Sequence, residues 1–180
     1  MMTAQIANGG YAIKPKIIVD SNPISYEDAK QSMESGLLFD TDSEELLDKK
    51  LFKNQKNIKI VQEAMFASTN ERFGTSYRSR IDDPKYQFAG KTGTAQVKRI
   101  SKRERELDLE LEQIPYKDRD HALYVAYGPY VNPRYALSII VEHGGSGSKA
   151  AAPIAKKLFK LIIDRHELRN KQSNFERITI

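Results

Sequence analysis

The sequence has no cysteine, which excludes disulfides, thiolate metal sites and a cysteine nucleophile. It leaves the compartment undecided, because a cysteine-free chain suits reducing and oxidising surroundings alike. No run reaches the roughly 18 apolar residues that a membrane span requires. The N-terminus also lacks a signal-peptide pattern. His121, His143 and His166 stand about 22 residues apart and fit no metal-ligand spacing. His121 reads as capping or packing at a strand start, and His143 as ending one. The acidic cluster Asp40, Asp42, Glu44, Glu45 and Asp48 lacks the glycine and the spacing of an EF-hand loop, and reads as polar surface. Neither metal nor cofactor is expected. No internal repeat is present.

Glycine is missing at one decisive position. Residues 88–97 read FAGKTGTAQV, and Gly90-Lys91-Thr92 would end a phosphate-binding loop only if a glycine stood five places earlier. That place is Lys85. Without a tight glycine turn, backbone amides do not converge on a phosphate. The P-loop reading fails.

What is present suits a globular chain. The 180 residues are enough for one domain with a real core, and 39% hydrophobic with 29% charged residues argues against disorder. Lys and Arg number 29 against 24 Asp and Glu, an excess spread along the chain. Lys98, Arg99, Lys102, Arg103 and Arg105 form a basic run, but acidic residues from Glu104 onward dilute it and no aromatics interleave. It reads as a solvated loop, and no nucleic-acid partner is expected.

Along the chain, MMTAQIANGG looks like the last turns of a helix closed by Gly9-Gly10. YAIKPKIIV is β-rich, with Pro15 marking an edge or a break. Residues 20–56 are polar, with one short helix expected near 43–52. Ile58, Val61, Met65 and Phe66 have helical spacing. QFAGKTGTAQV is the next strand. HALYVAYGP and RYALSIIVE read as a hairpin, the second apolar enough to be covered on both faces. HGGSGS reads as a flexible loop. AAPIAKKLFKLIIDRH reads as a helix with Pro153 near its first turn and Ile154, Leu158, Leu161 and Ile162 on one face. Residues 168–180 should be partly frayed. The order predicts an α+β fold, an antiparallel sheet flanked by helices. Tyr124, Tyr127, Tyr130 and Tyr135 read as hairpin packing.

In a strand, Lys91 and Gly93 point one way and Thr92 and Thr94 the other. All four serve one ligand only if it lies along the strand's edge, as an added peptide strand does. Gly93 then lets the ligand's backbone approach. The hydroxyls of Thr92 and Thr94 can donate to a carboxylate, Lys91 adds positive charge, and the Thr94 amide can donate to a forming oxyanion. A threonine-rich edge strand with one solvated lysine is the plainer alternative.

KTGTAQV resembles the third signature of penicillin-binding proteins and serine β-lactamases, beside S-x-x-K and S-x-N. The segments MMTAQIANGG with KPKIIV, RDHALYVAYGPYVNPRYALSIIVEHGGSG and AAPIAKKLFKLII agree in order. Together they resemble the C-terminal part of the transpeptidase domain of elongation-type class B enzymes, the penicillin-binding protein 2 group. The match is chiefly over residues 1–19, 58–97 and 120–164. Residues 20–56 and 99–118 match poorly and read as insertions.

The resemblance implies D,D-transpeptidation in peptidoglycan synthesis, with β-lactams mimicking the donor stem peptide. Thr92 and Thr94 would hold the terminal carboxylate, Gly93 would admit the peptide, Thr94 would supply half of the oxyanion hole, and Lys91 would set the field. It also implies an upstream part of the same domain and cell-elongation proteins as partners, at the periplasmic face of the inner membrane.

The S-x-x-K nucleophile and the S-x-N motif lie upstream in that family. Ser68-Thr69-Asn70 and Ser146-Gly147-Ser148-Lys149 match those patterns formally, but in the wrong places. Residues 1–180 are therefore expected to bind without acylation, or to serve as a non-catalytic peptide-binding module. A β-lactamase is disfavoured because no deacylating carboxylate is recognisable.

Overall fold

In the computed structural model the described residues are 1–13, 50–98 and 109–178, with side chains described up to Arg169. The acidic cluster at 40–48, Pro15 and the basic run beyond Lys98 lie outside them. So does most of the short helix expected near 43–52, whose last residues, 50–52, are not helical. The chain divides into two compact units, Met1–Val61 and Gln62–Ile180.

In the first unit, helix α1 (Met2–Ala7) ends as its sequence suggests. Asn8 Oδ1 accepts from the amides of Gly10 and Tyr11 at 3.1 and 3.0 Å, which satisfies the chain as it leaves the helix. Gly9 and Gly10 have φ of 88° and 90°, a region that side-chain-bearing residues rarely enter. Gly10 is also crowded. A Cβ there would stand 3.0 Å from Phe52 and 3.1 Å from Ile58. Of the β-rich stretch 11–19, the described part makes one bridge, Tyr11 to Lys50.

Helix α2 (Gln55–Asn70) follows. The second unit holds β1 (Ala89–Ala95), β2 (His121–Gly128), β3 (Tyr135–Val141) and helix α3 (Ala152–Ile178). The three strands form one antiparallel sheet in the order β1-β2-β3, so the α+β expectation holds. Pairing of Thr92 with Tyr124, and of Tyr124 with Ile139, fixes the register. Ala122, Tyr124 and Ala126 therefore share one face, which packs on Ala151, Ala152, Ala155, Phe159 and Ile163 of the α3 region. Small alanines next to the sheet let the helix approach closely. Phe159 then fills the space beside Phe88, with ring centroids 4.9 Å apart.

Three expectations need correction. The buried face of α3 is not the one drawn through Ile154 and Leu161, which are 40% and 66% exposed. Helical spacing allows that stripe, but the helix turns the neighbouring one, with its alanines and Phe159, to the sheet. Strand β3 is not covered on both faces: its residues alternate, and Ile140 is 62% exposed. The glycine-rich segment after β3 is a loop over residues 143–146 only. Residues Gly147–Ala151 form a π-helical turn leading into α3. Gly147 is buried there, and a Cβ on it would meet Leu123 O at 2.4 Å and Gly93 O at 2.7 Å. The helix itself runs on to Ile178, through much of the segment expected to fray.

Candidate functional site

Strand β1 lies at one end of the strand order, so among the described residues its outer edge has no partner strand. An edge strand presents unpaired amides and carbonyls, which is the geometry the Lys-Thr-Gly reading required. The register puts Thr92 and Thr94 on the face of Tyr124 and Ala122. Lys91 and Gly93 lie on the opposite face with Val125 and Leu123. All four predicted residues stand on seven residues of one strand, with Lys91 and Thr94 exposed and Thr92 and Gly93 half-buried.

Lys91 Nζ donates to the carbonyl of Thr92 at 3.0 Å, which draws the ammonium along the strand. Thr92 Oγ1 is 3.2 Å from Thr75 Oγ1, and Thr75 Oγ1 is 3.3 Å from Ser68 Oγ. No motif in the sequence marks this row of hydroxyls. It depends on the turn after α2, where Ser76 N donates to Ser68 O at 3.0 Å. Gly74 permits that fold-back, since a Cβ there would stand 2.3 Å from Ser68 O. A shallow pocket of about 280 Å³ next to β1 is lined by Ser68, Phe73, Thr75 and Lys91, with Phe73 97% exposed.

The three glycines near the edge differ in kind. At Gly90 a Cβ would lie 2.3 Å from the Tyr124 hydroxyl, and at Gly147 it would strike β-strand backbone. Both positions are glycine because the fold leaves no room. Gly93 has no positive φ, and a Cβ there would meet only Leu123 Cβ, at an ordinary 3.4 Å. Nothing within the described chain requires glycine at that position.

The formal motif matches resolve as structural. Asn70 Nδ2 donates to Phe66 O and Phe88 O, both at 3.0 Å, and so ties the end of α2 to the start of β1. Thr69, fully buried, hydrogen-bonds the Tyr124 hydroxyl at 2.9 Å, and Ser76 meets the same hydroxyl at 3.1 Å. Burial pushes the Tyr124 phenol above its ordinary range, partly offset by those two hydroxyls. Ser146 Oγ has Ser148 Oγ as its partner at 3.0 Å, not Lys149. A serine nucleophile needs a base within hydrogen-bond reach; neither Ser68 nor Ser146 has a lysine ammonium there. His121 opens β2, and its Nδ1 accepts from the His143 amide at 2.9 Å, joining the start of β2 to the end of β3.

The penicillin-binding protein transpeptidase domain, as a family, matches residues 1–160. The chain belongs to that family. Peptidoglycan D,D-transpeptidase MrdA of Salmonella typhimurium strain LT2 is 36% identical over 105 residues, covering 58% of this chain and 16% of that protein. Penicillin-binding protein 2 of Pseudomonas aeruginosa, solved in complex with WCK 5153, is 28% identical with a TM-score of 0.59, covering 89% of this chain and 28% of that one. PBPA of Mycobacterium tuberculosis shares the fold at 21% identity and a TM-score of 0.52, over 88% of this chain and 32% of that one. The chain thus spans 16% of the MrdA relative and 28% of the P. aeruginosa structure. It is similar to part of the transpeptidase domain of the elongation-type class B proteins.

Proposed function

We propose that this chain supplies the peptide-holding wall of a peptidoglycan D,D-transpeptidase, with the nucleophilic serine contributed from outside residues 1–180. Strand β1 receives the terminal D-alanyl-D-alanine of a stem peptide along its free edge. Thr92 and Thr94 hydrogen-bond the terminal carboxylate, and Lys91 keeps the local field positive. The Thr94 amide donates to the oxyanion that forms as the acyl carbon becomes tetrahedral, an interaction worth about 3 kcal/mol when well placed. β-Lactams occupy the same edge as mimics of the donor. Residues 20–56 and 99–118 are read as insertions and are given no part in the chemistry. The whole protein's partners, by the same reading, include cell-elongation proteins.

The observation that carries this reading is Gly93. The fold explains Gly90 and Gly147 by contact but leaves Gly93 unexplained, whereas a ligand backbone lying against β1 explains it. Titration of the full chain with an N-acyl-D-alanyl-D-alanine peptide, followed by amide NMR, tests it. The expected shifts centre on Gly93 and Thr94 and are lost in Gly93→Val, whose melting temperature stays near the parent's. Shifts that survive Gly93→Val, or that centre elsewhere, would contradict the assignment.

A further inference from the structure

The second unit carries a groove of about 920 Å³ between the segment 72–79 and the first turns of α3. Its charged lining is entirely cationic: Arg72 and Arg78 on one wall, and Lys149, Lys156, Lys157 and Lys160 on the other. Lys149, Pro153, Lys156 and Lys160 recur at spacings of four, three and four, which stacks them along one side of the helical segment. That stripe is about 16 Å long. Arg72, Arg78, Lys149 and Lys157 are exposed. Among the described residues the ion pairs are made by Arg80, Lys85 and Lys98. Of the six groove cations Lys160 alone feels a carboxylate, that of Asp164 one turn on, and it also lies over the Tyr86 ring.

Like charges held together without carboxylates repel one another, and a bound polyanion relieves that repulsion while releasing its own counterions. We propose that this groove binds a linear polyphosphate, laid along the start of α3. The remaining lining favours this chemistry over other anions. Thr75, Tyr77 and Ser148 carry hydroxyls that suit phosphate oxygens, and Pro153 is the one purely apolar side chain. An acidic peptide would need apolar recesses between its charges. The lining offers one aromatic ring, Tyr77, and the Arg80 guanidinium covers one of its faces at 4.1 Å from the centroid, so it gives little support for a row of stacked bases. Two facing walls suit a chain between them better than a flat anionic surface. The groove borders the peptide edge at β1 through Thr75, which meets Thr92, but the six cations that carry the proposal are not residues of that edge.

The test is binding of inorganic polyphosphate to the full chain, read by calorimetry at several salt concentrations. Affinity should fall by roughly tens of fold between about 50 and 200 mM salt, as neutralising about four phosphates implies. Replacing Lys149, Lys156 and Lys157 together by Gln should weaken binding by about tenfold or more. Replacing Arg72 and Arg78 by Gln, on the facing wall, should act in the same direction if the first variant does not fold. Lys53, Lys56 and Lys59 lie outside the groove lining, and their replacement by Gln removes the same charge. That control should stay within about twofold of the parent. Equal losses in the lysine variant and the control would mean binding by net charge alone and would overturn the proposal. So would poly-L-glutamate or oligothymidylate binding as tightly as polyphosphate, or an absence of binding.

Discussion

Two tyrosines on neighbouring stretches of β2 have opposite hydrogen-bonding fates. The Tyr124 hydroxyl is buried and meets Thr69 and Ser76. The Tyr127 hydroxyl is buried without a partner among the described residues, and burial pushes its phenol far above the ordinary range, with Tyr130 adding to the effect. Tyr124→Phe should therefore cost about 1–2 kcal/mol, because two buried hydroxyls lose a shared partner. Tyr127→Phe should be neutral or mildly stabilising, since it removes a polar atom that folding leaves unpaired. Chemical denaturation of the two variants checks both signs. Sequence reading assigned both rings to hairpin packing, which is where they are. It could not separate them, because the partners of Tyr124 lie 55 and 48 residues away. The same limit applies to the glycines. The motif singled out Gly93, but only the close contacts at Gly90 and Gly147 show that Gly93 is the one the fold does not explain.

At the scale of elements, strands were more legible than the helix face. Apolar runs and the turn residues between them placed β2 and β3, and the Lys-Thr-Gly strand fell within two residues of its observed ends. The face of α3 is not fixed by spacing, because Ala155, Phe159 and Ile163 keep the helical period one residue beyond the larger stripe of Ile154, Leu158 and Ile162, and close helix–sheet packing favours the side with alanines. The corrected face makes a contrast. Phe159→Ala should destabilise by about 3–5 kcal/mol through transfer and cavity terms. Leu161→Ala should change stability by less than about 0.5 kcal/mol, and thermal melts separate the two.

The same helix carries an acid-sensitive contact. Asp164 accepts from the Tyr86 hydroxyl and, at 3.2 Å, from Lys85, which also bridges Glu167 at 2.7 Å. The Tyr86 bond, then Lys85, holds the Asp164 carboxyl below its ordinary value of 3.8. A depressed carboxylate contributes stability above its unfolded value and loses it as pH falls through the folded one. The stability gap between the parent and Asp164→Asn should therefore be widest above pH 3.8 and close below it. The gap should be small throughout, because the pair is exposed. Melting temperature against pH reads it directly, and a gap that widens in acid would contradict it.

At the scale of the molecule, the second unit contains a three-stranded sheet, one covering helix and an open strand edge bearing Lys91, Thr92, Gly93 and Thr94. The family was legible from sequence because the Lys-Thr-Gly motif and the segments around it follow the family's order along the chain. The hydroxyl row at Ser68, Thr75 and Thr92 and the cationic groove were not, since each joins segments that only folding brings together. Ser68 and Ser146 both stand in formal motif matches, and neither is hydrogen-bonded to a lysine. The most direct measurement is the intact mass of the purified 180-residue chain after incubation with excess benzylpenicillin, with Ser68→Ala and Ser146→Ala in parallel. The predicted result is the unmodified mass in all three. A penicilloyl adduct on the parent that disappears in either variant would place a working nucleophile within this chain and contradict its assignment as a binding wall.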